Sequence, residues 1–300
     1  MSRLIPLLPL ASLLLLAAPI SRADEPERPW TLTLNGGGQF TDHDSAAPNG
    51  GVTLARTLGN HLISAGIDAA RTEADANAVN NNVPSTTIEG RLGYGYQYER
   101  YSFGLHAVYG RRSFDSTTVT IANPLPGRPA RDIRSTADGS QYGGGASFSA
   151  DFDAGPLLLT PHLGVDWNRT DTATVRNRAN GTNTEIASDQ ESGVTGTFGA
   201  TLSHRFSLAR SLPAQFSLDA AWLVASNGSA IDASTRAGTR LASSLSQTAG
   251  SNGHQSWGEF GATLSLDLTA STSLDFDVVR SVSFAPDDYT AVGAALSIRF

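Results

Sequence analysis

From residue 30 onward the chain repeats one pattern: apolar and polar side chains alternate with a period of two, in stretches of 9 to 16 residues. That period marks β-strands with two unlike faces. Residues 86–98, "TTIEGRLGYGYQY", set Ile88, Leu92, Tyr94, Tyr96 and Tyr98 against Glu89, Arg91, Gly93, Gly95 and Gln97. Residues 101–114 set Tyr101, Phe103, Leu105, Ala107 and Tyr109 against Ser102, Gly104 and His106. In the last stretch Ala294, Leu296, Ile298 and Phe300 share one parity and Ala295, Ser297 and Arg299 the other, and the alternation runs into the terminal carboxylate. Twelve strands are predicted, at 30–40, 50–58, 61–73, 86–98, 101–114, 138–153, 156–169, 191–206, 214–225, 255–269, 272–284 and 288–300.

The connections between them alternate in length. The odd-numbered ones have 9, 12, 23, 21, 29 and 3 residues, the even-numbered ones 2, 2, 2, 7 and 2. In an up-and-down meander this gathers long loops at one end and tight turns at the other. Short periplasmic turns with long extracellular loops are the pattern of outer-membrane barrels, which have an even number of strands in bacteria. The fold class expected is therefore all-β, a transmembrane up-and-down antiparallel barrel of 12 strands, with both termini periplasmic. A soluble sandwich would alternate as well, but the loop asymmetry disfavours it.

Aromatic residues supply an independent check, because a lipid-facing band is bordered by aromatic girdles. On the apolar parity Trp30, Tyr98, Tyr101, Phe152, Phe206, Phe216 and Phe300 fall at the tight-turn end, and Phe40, Tyr109, Tyr142, Trp167, Trp222 and Phe284 at the other. Arg56, Arg111 and Arg280 fall on the lipid parity; the first two lie near strand ends, whereas Arg280 is expected deeper and in need of a bulge or a lipid phosphate. Trp257 falls inward, which leaves the tenth register open by one residue.

The N-terminus and composition narrow the setting. Residues 1–23 have Arg3, an apolar run from Leu4 to Ala18 and a Ser21-Arg22-Ala23 cleavage pattern, which predicts a cleaved secretory signal peptide. Residues 24–29 are then a short periplasmic segment and 30–300 the barrel. No Cys occurs, which excludes disulfides and a lipoprotein anchor. The net charge of −7 speaks against nucleic-acid partners. All 21 basic residues are Arg, for which a coding bias suffices, although guanidinium pairing with the phosphates of outer-membrane lipid and lipopolysaccharide is also open.

"LTPHLGVDW" (159–167) and the last 44 residues, from Trp257 to Phe300, resemble the translocator β-domain of autotransporters. The resemblance implies a 12-stranded barrel in the Gram-negative cell outer membrane. It also implies that the barrel-assembly machinery, after periplasmic chaperones, reads the terminal strand through Phe300, Ile298, Leu296 and Ala294. With about six residues before Trp30 in the mature chain, neither a passenger nor a helix through the pore is expected.

Signals for chemistry are few. G-x-S-x-G, H-E-x-x-H and, without Lys, S-x-x-K are all missing. No catalytic, cofactor-binding or metal site is assigned; "DHD" at 42–44 reads as a solvated loop. One enzymatic alternative is an outer-membrane lipid hydrolase, since His254-Gln255-Ser256 puts His and Ser on the outward parity as in outer-membrane phospholipase A. That motif continues with Asn-Gly, whereas Trp257-Gly258 follows here. The preferred expectation is a stand-alone channel or a surface or structural barrel, not an enzyme. Its candidate lumen residues are Glu89, Arg91, His162, Asp166, Arg205, Asp219, Asp275 and Asp277. Asn35, Gln39, Gln97, Asn168, Asp267 and Arg299 share that parity. Acids exceed bases, which fits a salt-bridge network filling the pore or a path favouring cations. The loop 226–254 reads as exposed; folded inward, it would present Arg236 and Arg240.

Overall fold

The computed structural model describes residues 29–42, 46–72, 85–115, 117–121, 131–177, 183–208, 212–227, 254–284 and 288–300. The segment 1–23 expected to be a signal peptide, and His43, Asp44, Arg236 and Arg240, lie outside them. The described residues form one antiparallel sheet: β1 (Trp30–Thr41), β2 (Ala46–Leu58), β3 (His61–Thr72), β4 (Ser85–Tyr98), β5 (Tyr101–Phe114), β6 (Thr117–Ile121), β7 (Arg131–Ala150), β8 (Phe152–Ala154), β9 (Leu157–Asn177), β10 (Asn183–Leu208), β11 (Leu212–Ala225), β12 (Gln255–Thr269), β13 (Thr272–Val282) and β14 (Tyr289–Arg299). β6 pairs only with the start of β7, and β8 only with the start of β9. The other twelve pair in sequence order, and β1 closes on β14 from Thr31↔Arg299 to Thr41↔Tyr289. Twelve staves thus form a closed barrel, as the alternation predicts.

Polarity is inverted relative to a soluble protein. Leu34, Leu54, Ile63, Ile67, Leu105, Leu163, Phe198, Leu218, Phe260 and Phe276 point outward and are exposed, as is Leu92 at 64%. Buried inside are Thr33, Asn35, Thr53, Asp68, Glu89, Asp166, Thr197, Asp275 and Asp277. Soluble monomers rarely expose apolar patches beyond a few hundred Å². A band of such side chains running round the whole barrel requires lipid.

Several expectations need correction. The connections expected at 115–137 and 170–190 are largely strand, because β7, β9 and β10 run on past their neighbours for 20, 21 and 26 residues in all. These extensions, such as "TDTATVRN" (170–177), are rich in β-branched residues but carry few apolar ones, so no sustained apolar parity announces them. The seven-residue connection expected at 207–213 shrinks, since β10 reaches Leu208 and β11 begins at Leu212.

Among the aromatics, Phe40, Tyr109, Trp167 and Trp222 are exposed at the end with long connections, here the outer end, and Tyr98, Phe152, Phe206, Phe216 and Phe300 at the inner end. Phe284 is the exception: it is buried inside the barrel, not in the outer girdle. Ser283 before it takes a left-handed φ of 66°, which turns the chain past β13 and reverses the parity. Arg280 is not deep either. It lies opposite Thr290 near the strand head, and its Nη1 and Nη2 each reach a carboxylate oxygen of Asp42 at 2.7 Å across the β13–β14–β1 seam. Arg56 stacks on the Trp30 ring at 5.1 Å, at the inner rim.

Candidate functional site: the polar lumen

The inward positions combine a few long polar side chains with many small ones, and the pairing register explains why. Asn35 on β1 donates through Nδ2 to Asp68 Oδ1 on β3 at 3.1 Å, passing over Gly51 of the intervening β2. Gln141 on β7 donates to Glu89 Oε2 on β4 at 2.6 Å, over Gly110 of β5. His106 on β5 lies 3.2 Å from Asp166 on β9, over Gly145 of β7. His162 on β9 lies opposite Gly199 of β10 and approaches Asp219 on β11, two residues off that register, to 3.8 Å. Tyr289 on β14 donates to Glu259 on β12, over Ser281 of β13.

Each clasp skips one strand, and the skipped strand presents glycine or serine. The gaps are tight. A Cβ at Gly51 would sit 2.2 Å from Asp68 Oδ1, one at Gly145 2.1 Å from Asp166 Oδ1, and one at Gly199 2.7 Å from His162 Nε2. Three of the clasps are hydrogen bonds, and all five run round the wall, tying together strands that are not neighbours in the sheet. Shorter-range bonds complete the set: Arg91 donates to Glu89 Oε1, two residues away on β4, at 2.7 Å, and Thr201 on β10 donates to Asp219 Oδ2 on the adjacent β11 at 2.9 Å.

The sequence-predicted lumen residues thus separate into groups. Glu89 and Arg91 belong to one cluster, with Asp68 3.8 Å from the Arg91 guanidinium. Asp166 and His162 lie four residues apart on β9 but face different partners. Asp275 and Asp277 are buried on β13, and Arg205 is exposed at the inner rim with its Nε 3.2 Å from Gln215 Oε1. Asp68, His106, Gln141 and Glu259 are further clasp members. Parity alone marks them as inward, but a clasp depends on register two strands away.

The charge is uneven across the lumen. Asp219, Glu259, Asp275 and Asp277 all point inward from β11–β13, where Arg280 is the one basic residue and faces outward. Six strands round the ring, β4 and β5 bring Arg91 and Arg112. Asn35 Oδ1, Thr53 Oγ1 and Thr197 Oγ1 are buried with no hydrogen-bond partner in the protein. Such atoms cost about 1–3 kcal/mol each unless water supplies the bond. His254 and Ser256 are both exposed on the outward side, and no hydrogen bond joins them. Among the described residues no three metal-binding side chains converge.

With this geometry in view, the family model described as autotransporter beta-domain matches residues 33–279. The chain belongs to the autotransporter β-domain family. Two solved translocator barrels are similar to this autotransporter β-domain. The translocator domain of NalP from Neisseria meningitidis has a TM-score of 0.62 at 13% identity, over 92% of this chain and 90% of that one. The β-domain of the Bordetella autotransporter BrkA has a TM-score of 0.56 at 16% identity, over 91% and 98%. LpxR from Salmonella typhimurium shares the fold at a TM-score of 0.53 and 10% identity, over 90% and 100%. No curated protein sequence matches. The family fits residence in the outer membrane and transport-type barrels.

Proposed function

We propose that this autotransporter β-domain is a water-filled outer-membrane channel that favours small cations. The orphaned polar atoms of Asn35, Thr53 and Thr197 carry this reading, because their position calls for water inside the barrel. The acidic wall of β11–β13 sets the sign of the preference. Purified protein in a planar bilayer under a KCl gradient tests it: the zero-current potential should show cation preference, and Asp275→Asn with Asp277→Asn should reduce it. Absence of current, or preference for anions, would refute the reading.

In this reading the outer end is extracellular, both termini are periplasmic, and residues 1–23 are removed on export. The outer girdle sits among lipopolysaccharide, and β14 with Ala294, Leu296, Ile298 and Phe300 is the strand that the assembly machinery reads. The lipid-hydrolase alternative gains no support from His254 and Ser256, which lack the hydrogen bond that activates a serine. Ser256→Ala should leave the fatty-acid content of outer-leaflet lipid unchanged; a change would revive it.

A further inference from the structure

One wall of the lumen's outer end is unlike the rest. Trp257 on β12, Phe284 just past β13 and Tyr289 at the head of β14 pack ring to ring across the upper end of β13. The Trp257 and Phe284 centroids are 5.1 Å apart and those of Phe284 and Tyr289 5.4 Å, both edge to face. Leu223, Val279 and Ala291 extend the apolar layer. Elsewhere the inward positions are mainly Gly, Ser, Thr and clasped polar side chains, so this is an apolar shelf inside a polar tube.

Burial of apolar surface does not by itself explain the shelf, since lipid lies just outside. Phe284 would by simple alternation join the outer girdle. Instead Ser283 adopts a conformation uncommon for a residue with a side chain. Asp288 Oδ1 then accepts from the Phe284 amide at 2.8 Å and from Ser281 Oγ at 3.2 Å, which holds the ring inward. Trp257 Nε1 donates to Glu259 Oε1 at 2.7 Å, and the Tyr289 hydroxyl donates to the same oxygen. Both outer rings of the shelf are therefore tethered to one buried carboxylate, and the middle ring is clamped through its backbone. Side chains held at both ends cannot swing aside as free rotamers do. Below the shelf, Asp277 and Asp275 continue inward along β13.

We infer that the Trp257–Phe284–Tyr289 shelf is the constriction of the outer mouth and sets the size of cation admitted to the acidic wall beneath it. The inference rests on the channel reading above. Entry past a rigid apolar shelf is a steric and dehydration filter, whereas the carboxylates below discriminate by charge. Size and sign of the solute are thus read at different residues.

The chain contains no cysteine, so a single luminal thiol can report access. Thr263→Cys places one on the inward parity of β12, four residues past Glu259. Intact cells are treated with two impermeant, cationic thiosulfonate reagents, one with a small ethylammonium group and one with a bulky aromatic quaternary ammonium group. The small reagent should react and the bulky one lag. Adding Trp257→Ala should raise the bulky reagent's rate at least tenfold and change the small reagent's rate little. Phe284→Ala is the second variant, because it opens the shelf without touching the Glu259 tethers; heat-modifiable gel migration verifies that each variant is folded. A reactive luminal thiol whose bulky-reagent rate is the same with and without both substitutions overturns the constriction and leaves the channel standing. A luminal thiol that reacts with neither reagent in any folded variant overturns the channel reading itself.

Discussion

Replacing Gly145 by alanine tests whether the luminal clasps need their glycines. The new Cβ would lie 2.1 Å from Asp166 Oδ1, 2.6 Å from the Val165 carbonyl oxygen and 2.7 Å from His106 Cε1. The carboxylate can rotate away, but the carbonyl belongs to β9 and moves only with the strand. Pulling the Asp166 carboxylate away from His106, 3.2 Å from it, costs at most about 1 kcal/mol. Forcing an extra carbon into a packed site costs about 1–3 kcal/mol. The two overlap, and the smaller entropy of the unfolded alanine chain offsets about 0.4–1 kcal/mol. A net destabilisation of about 2 kcal/mol follows, roughly thirtyfold in the folded-to-unfolded ratio. Gly90 is the control. It faces outward, and a Cβ there would meet nothing closer than the Tyr109 carbonyl oxygen at 3.8 Å. Gly90→Ala should therefore be neutral or stabilising by about 0.5 kcal/mol. Urea titrations of the barrel in lipid vesicles, followed by tryptophan fluorescence, compare the two. Equal midpoints for Gly145→Ala, Gly90→Ala and the parent would show that the clasps do not govern the wall.

Further consequences concern the lipid face, the seam and assembly. Leu92→Arg puts a guanidinium on the most exposed apolar position of β4 and should cost about 2–4 kcal/mol in the same titration; a negligible cost would mean that Leu92 does not face the bilayer core. Asp42→Ala and Arg280→Ala should each lower the temperature at which the folded band converts to the unfolded one on a gel, and the double variant should be no worse than either single one. Additive losses would show that the two residues act separately. Deleting Phe300 should impair insertion into the outer membrane while export to the periplasm continues, and normal insertion would exclude a role for this residue in assembly.

The staves were legible because lipid on one side and a polar lumen on the other impose a strict period of two, as in β4 and β5, whose limits fall within a residue of those predicted. Where that two-sided environment stops, so does the signal. The upper parts of β9 and β10 have no sustained apolar face and read as loop. Phe284 was misplaced because a single left-handed residue, Ser283, breaks the parity on which the reading depends. The acids of the lumen were legible by parity, Glu89, Asp166, Asp219, Asp275 and Asp277 among them, but their partners were not. Asn35 meets Asp68 and His106 meets Asp166 only because the register of three strands aligns each pair over a glycine. Arg280 illustrates the same limit, since its partner Asp42 lies 238 residues away in the chain.

The central claim is that one face of each stave meets lipid and the other meets water. Single cysteines from 261 to 266 on β12, each carrying a nitroxide, test it in the reconstituted protein. Relaxation by oxygen, which concentrates in lipid, should peak at positions 262, 264 and 266. Relaxation by a water-soluble nickel chelate should peak at 261, 263 and 265. Two profiles in phase, or a period near 3.6, would contradict the account.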